Sequence, residues 1–170
     1  AALVRSIEGA EDDTVAGIGA VNECALGPHD VLIGIAASGT TPFVHAALLH
    51  ATERGAHTVF LTCAEPPATL LHSCEVVIRV DVGPEIVTGS TRLKAGTATK
   101  LVLNIITTGA MVRLGKTYGN LMVDLQATNA KLRERGERIV MEVLGVSRES
   151  ARTALAAAGA GERPDLLGRG

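Results

Sequence analysis

Asp30-Val-Leu-Ile-Gly-Ile-Ala-Ala-Ser-Gly-Thr-Thr-Pro42, followed by Phe43–Arg54, decides the fold of this chain. The run from Val31 to Ala37 is short, apolar and rich in branched residues, which reads as a strand buried on both faces. Ser38-Gly39-Thr40-Thr41 are turn residues, and Pro42 takes the first helical position, where a missing N–H costs nothing. Phe43–Arg54 repeats its apolar residues at helical spacing and meets a natural stop at Gly55. Thr58–Cys63 reads as a second strand, Ala64–Pro67 as a loop and Glu75–Val80 as a third strand. Strand, helix, strand and a further strand is the pattern of a parallel α/β sheet joined by right-handed crossovers. The strands are therefore expected near Val31–Ala36, Thr58–Cys63 and Glu75–Val80, adjacent and parallel, with Ser38–Thr41 at their carboxyl ends.

On the N-terminal side, Ala1–Ile7 reads as a helix already in mid-course. The acidic run Glu8-Gly-Ala-Glu-Asp-Asp13 suits the first turn of a new helix, which it complements electrostatically, and that helix is expected to reach about Leu26. On the C-terminal side, Asp81–Arg92 is a loop and Leu93–Leu114 a long helix. That helix is apolar nearly all round and so must be buried by something. A further helix is expected over Leu121–Leu144, with the charged stretch Lys131–Arg138 as a solvated face. A small helix starts at Ser147, and the tail Gly159–Gly170 is expected to fray.

Composition narrows the function. The 170 residues suit one domain, and 46% hydrophobic against 20% charged residues is enough for a packed core. Lys+Arg 16 against Asp+Glu 18 gives a net charge of -2, without the basic surplus of a nucleic-acid binder. Only Phe43, Phe60 and Tyr118 are aromatic, so neither base stacking nor a sugar site on flat rings is expected. Cys24, Cys63 and Cys74 form no CxxC pair and read as reduced thiols; the histidines at 29, 45, 50, 57 and 72 form no metal pair and read as ordinary packing. No metal or cofactor is expected. The apolar stretch Leu101–Val112 is interrupted by Asn104, Thr107 and Thr108 and is too short for a membrane span, and no signal peptide is apparent, so a cytoplasmic protein with no membrane partner is expected.

Two segments carry chemistry. Gly34–Thr41 has the glycine spacing of a P-loop but Thr40 where that motif needs lysine, which disfavours a nucleoside triphosphate. Gly17-Ile-Gly19 lacks the third glycine and the preceding strand of a dinucleotide fingerprint. Ser38, Gly39, Thr40 and Thr41, between a strand end and a helix start, offer backbone N–H groups and hydroxyls to one phosphate monoester. The same residues would serve equally as a plain helix cap. Gly83–Thr97 also follows a strand and precedes a helix. It gathers Thr88, Ser90, Thr91, Arg92 and Lys94 around Gly89, either as a polar wall for a sugar phosphate or as a structural turn.

GPEIVTGSTRLKAGTATK (Gly83–Lys100) resembles the signature of the N-acetylmuramic acid 6-phosphate etherase and glucokinase regulatory protein family. VLIGIAASGTTP (Val31–Pro42), EGAEDD (Glu8–Asp13) and GKTYGNLMVDLQATNAKL (Gly115–Leu132) resemble its etherase branch. The resemblance is nearly continuous from Ile7 to Leu144. It implies a three-layer sugar isomerase (SIS) fold, a parallel sheet flanked by helices, over residues 1–144, incomplete at its N-terminus. A small helical segment and tail occupy 145–170, and the chain departs from the family pattern after about Ala158. The implied reaction cleaves the D-lactyl ether of N-acetylmuramic acid 6-phosphate to N-acetylglucosamine 6-phosphate and D-lactate, in peptidoglycan recycling. A proton leaves C2 and lactate leaves C3; water then adds to the unsaturated sugar. Two glutamates do the proton work without a metal. One matches Glu11; the other, with a first phosphate-gripping loop, belongs to an upstream segment that has no match here.

The resemblance further assigns Ser38, Gly39, Thr40 and Thr41 to the phosphate. Glu85, Ser90, Thr91, Arg92 and Lys94 are assigned to the sugar site, and pairing into a homodimer is implied. Strands missing beside Val31–Ala36 would leave a sheet edge for another chain to cover. The etherase-type EGAED favours an enzyme. The missing second glutamate favours the alternative, a non-catalytic sugar-phosphate-binding regulatory module or an inactive fragment.

Overall fold

Three parallel strands, β1 (Val31–Ile35), β2 (His57–Thr62) and β3 (Val76–Arg79), lie side by side in the order β1-β2-β3. The computed structural model of the chain describes residues 8–125 and 127–160. The helix expected over Ala1–Ile7 and residues 161–170 of the tail lie outside them. Val31 pairs with His57 through to Ile35 with Leu61, and Val59 with Val76 through to Thr62 with Arg79. The expected order, direction and approximate limits all hold. The central strand is the best covered: Phe60 and Leu61, on opposite faces, are fully buried, as are the hydroxyl-bearing Thr58 and Thr62.

The crossover between β1 and β2 is α2 (Pro42–Glu53), with Pro42 in its first turn. It packs on the sheet so closely that a Cβ on Gly34 would lie 2.6 Å from Leu48 Cδ1, so β1 carries glycine where the helix sits down. Leu48, Ala36, Phe60, Leu70 and Cys74 form one core cluster. The other side of α2 is lined by alanines: Ala47 and Ala51 meet Val21 of α1 (Thr14–Glu23) and Ala56 in a second cluster. At Gly17 the two helices nearly touch, since a Cβ there would lie 2.4 Å from the Phe43 carbonyl oxygen. Small residues let these two helices approach, and the close packing is the source of their cohesion.

Several expectations change. Only the last residue of the acidic run opens α1. Ala10–Asp12 is a separate 3-10 turn, and Asp13 starts the helix by accepting a hydrogen bond from the Ala16 amide at 2.9 Å. A helical cap is a single geometry, so only one of the four acids can fill it. α1 then ends at Glu23, ahead of Gly27-Pro28, with Ala25 at φ 50. Between β2 and β3 a six-residue helix, α3 (Ala68–Ser73), replaces an unassigned stretch; it is too short to show a period but buries Leu70 completely.

The contacts divide the chain into two compact units between Ile105 and Ile106, inside α4 (Lys94–Arg113). In α4 only Ala95 is buried, and Leu101, Ile105, Met111 and Val112 are exposed. The expected burial of this helix is not supplied by the described residues. In the C-terminal unit the helix expected over Leu121–Leu144 is shorter. β4 (Thr117–Tyr118) and β5 (Leu121–Met122) form a small antiparallel hairpin around Gly119, which has a φ of 57. A Gly-Asn pair in a two-residue loop favours that turn over continued helix. α5 (Ala130–Leu144) begins only where the Asn129 side chain accepts from the Leu132 amide at 2.9 Å. α6 (Arg148–Ala160) packs against it. The charged stretch on α5 is not wholly solvated: Glu137 is buried and receives Arg152 Nε at 2.8 Å and Nη2 at 3.3 Å. These donors, with Arg148 near by, hold the Glu137 carboxyl below its ordinary value. An apolar groove of about 620 Å³ lies beside them, walled by Val123, Ile139, Val143 and Leu155.

Candidate functional site

β1 delivers the chain to Ala36, and the next five residues turn it into α2. Gly39 makes that turn at φ +77, and its N–H donates to the Ala36 carbonyl at 2.9 Å. Its Cα faces the connection that leaves β2: an added Cβ would lie 3.2 Å from the Glu65 oxygen and 3.3 Å from Thr62 Oγ1. Glycine is thus required twice, by conformation and by space. The Ser38 and Thr40 hydroxyls stand 3.1 Å apart, both exposed. Thr41 occupies the cap position of α2 but its side chain makes no capping hydrogen bond. Pro42 has no N–H to offer, so the amides of the first turn and the positive end of the helix dipole face this loop without a side-chain cap from the chain itself.

Thr62, fully buried at the end of β2, braces the loop from below; its hydroxyl accepts from the Ala64 amide at 3.1 Å. His45 braces it from the helix, with Nε2 at 2.8 Å from the Gly39 carbonyl oxygen and its ring edge-on to Phe60 at 6.0 Å. Neither residue stands out in the sequence. The one available signal for His45 is its place in the first turn of a helix, where side chains lean back towards the N-terminus.

The second segment is built differently. Glu85 reaches across ten residues to cap α4: its carboxylate accepts from the Lys94 amide and from the Ala95 amide, each at 3.0 Å. Those two backbone bonds, and then the Lys94 charge, hold the Glu85 carboxyl below its ordinary value. The Lys94 ammonium donates to the Pro84 carbonyl at 2.8 Å, closing the same loop. Gly89 turns at φ 85, Ser90 is half-buried, and Thr91 and Arg92 are exposed. Ala95 is buried with its carbonyl 3.9 Å from Cys63 Sγ, immediately after β2. Both segments therefore lean on the one connection leaving β2, Gly39 against Thr62, Ala64 and Glu65, Ala95 against Cys63. Two stretches roughly fifty residues apart meet at the carboxyl ends of the strands, the usual ligand position in open α/β sheets.

Glu11 reaches the same end by another route. α1 and α2 run in the same direction: Gly17 meets Phe43, Asn22 Oδ1 lies 2.9 Å from His50 Nε2, and Leu26 accepts from Arg54 Nε at 2.9 Å. The 3-10 turn just ahead of α1 packs against α2. Glu11, exposed on that turn, is accordingly beside the start of α2, where Ser38–Thr41 lie. Among the described residues no group of three or more His, Cys, Asp or Glu side chains could hold a metal ion, and no helix is long and apolar enough to cross a membrane.

No protein-family model matches the chain. It is similar to proteins named N-acetylmuramic acid 6-phosphate etherase. In Gloeobacter violaceus the identity is 52% over 167 residues, 98% of this chain and 54% of that protein. In Synechococcus elongatus it is 53% over 163 residues, 96% of this chain and 52% of that protein. In Serratia proteamaculans it is 48% over 166 residues, 98% of this chain and 56% of that protein. The chain spans about half the length of the curated relatives it matches.

Proposed function

The chain is a sequence relative, over nearly all of its own length, of the N-acetylmuramic acid 6-phosphate etherases, and from that premise we propose that it provides the phosphosugar-binding half of such an etherase together with one of its two proton-transfer groups. The observation that carries this reading is the convergence of Glu11 and Ser38–Thr41 at the start of α2. The phosphate of N-acetylmuramic acid 6-phosphate lies against the first turn of α2. It accepts from backbone N–H groups there and from the hydroxyls of Ser38, Thr40 and Thr41. A dianion at that position gains from the helix dipole without any lysine. Ser90, Thr91 and Arg92 shape the sugar side of the site, while Glu85 and Lys94 hold that wall in place by capping α4 and closing its loop.

Glu11 exchanges a proton with the C2–C3 region of the sugar as lactate leaves C3. The partner glutamate implied by the family pattern is contributed from outside these 170 residues. Each positioned acid or base contributes about 10²–10⁴-fold to such a reaction. The protein works in the cytoplasm, as a homodimer.

D-lactate release from N-acetylmuramic acid 6-phosphate, measured on the protein at its native length, tests the reading. Glu11→Gln lowers the rate at least about 10²-fold and leaves the affinity for N-acetylglucosamine 6-phosphate unchanged. Undiminished lactate release from that variant overturns the assignment of Glu11.

A further inference from the structure

His45 lies in α2, one turn past the loop whose Gly39 carbonyl its ring nitrogen meets at 2.8 Å. A carbonyl oxygen can only accept, so the Nε2 of His45 carries the proton in this contact. The peptide joining Gly39 to Thr40 is trans, since the described chain has no cis bond. In a planar trans peptide the C=O and N–H point in opposite directions. Drawing the Gly39 oxygen towards His45 therefore turns the Thr40 N–H away from the helix. On that outer side the Thr40 N–H donates to the Ser38 hydroxyl at 3.4 Å, and that hydroxyl lies 3.1 Å from the Thr40 hydroxyl. The ring has little freedom to let go: it is half-buried and set edge-on, at 88°, against the fully buried Phe60.

We infer that His45 is the positioning residue of the anion loop, orienting the Gly39–Thr40 peptide so that the Thr40 N–H holds the Ser38 hydroxyl and the paired Ser38 and Thr40 hydroxyls are presented together to one phosphate group. This rests on the reading of Ser38–Thr41 as the phosphate site. His45 acts through the backbone and touches no substrate. With the histidine in place, the loop is arranged before the ligand arrives, so binding does not have to order it.

The test compares His45→Leu, which removes the donor, with His45→Gln, which keeps an N–H at similar reach. Calorimetric titration of the protein at its native length with N-acetylglucosamine 6-phosphate is the readout, alongside thermal melting. Loss of one half-buried hydrogen bond to the loop predicts about tenfold weaker binding for His45→Leu. His45→Gln restores affinity to within about threefold of the parent, a recovery that a merely space-filling role would not produce. Should His45→Leu fold and bind as tightly as the parent, the positioning role is wrong while the phosphate site stands. Should His45→Leu fail to fold, His45→Gln decides alone: parental affinity supports the role, and affinity as weak as that of a loop lacking Ser38 overturns it. If the parent protein at its native length takes up no N-acetylglucosamine 6-phosphate, the phosphate site falls, and the role of His45 with it.

Discussion

Two helices begin at the carboxyl ends of the same three strands, and the chain treats their N-termini in opposite ways. At α4 the positive end is filled from within: Glu85 places both carboxylate oxygens on the first amides, and Lys94 is tied back to Pro84. At α2 the cap residue Thr41 leaves its side chain uncommitted, and the bracing comes from behind, through His45 and Thr62. One end is a finished structural joint; the other keeps its amides turned outward on a rigid support. A helix N-terminus attracts anions wherever it occurs. Only the end without an internal carboxylate is available to a ligand's phosphate.

The contrast breaks most severely at Gly39. Gly39→Val forces a β-branched residue into the left-handed region, a cost of about 1–2 kcal/mol. It also presses against Glu65 and Thr62, where overpacking adds about 1–3 kcal/mol. Thermal melting should fall by roughly 5 °C or more, and N-acetylglucosamine 6-phosphate binding should vanish. A variant that melts and binds like the parent would mean that the turn is not the tight support described.

A milder substitution leaves the support intact and removes the ligand's partners. The double variant Ser38→Ala, Thr41→Val should weaken N-acetylglucosamine 6-phosphate binding about tenfold or more, since hydrogen bonds to charged groups are the strong ones, with melting nearly unchanged. Hydrogen exchange adds a sharper view. On adding the phosphosugar, protection should rise at Phe43 and Val44 and stay constant at Lys94 and Ala95. Equal affinity in the double variant places the phosphate elsewhere.

The smallest effect belongs to the filled end. The Glu85 carboxyl is held below its ordinary value by its backbone donors. A lowered value means the stabilisation is complete above the ordinary glutamate pKa of about 4.3 and disappears as pH falls through the lowered one. Glu85→Gln should therefore melt slightly below the parent at pH 7, and the difference should close on acidification. Affinity for N-acetylglucosamine 6-phosphate should barely move. Equal melting of the two proteins at pH 7 would show that the carboxylate cap contributes nothing.

The parallel sheet was legible in the residues themselves. Val31–Ile35 and His57–Thr62 are short branched runs, and the Gly-Thr-Thr-Pro turn between them can only hand one strand to a crossover helix. The candidate loop was legible too, because turn chemistry is local: Gly39, Ser38 and the proline act on their own neighbours. What the tertiary structure alone decided is everything that depends on meeting. The direction of α1 along α2, through Gly17 on Phe43, brings Glu11 to the start of α2 from a turn that the acidic run alone did not distinguish from a helix. The resemblance assigns Glu85 to the sugar site, whereas the intervening loop returns its carboxylate to the Lys94 and Ala95 amides of α4. Glu137 looked like one more solvated charge until α6 brought Arg152 against it. Local preference sets which element forms, whereas the partner of a side chain is set by packing between elements distant in sequence, and no periodicity encodes that.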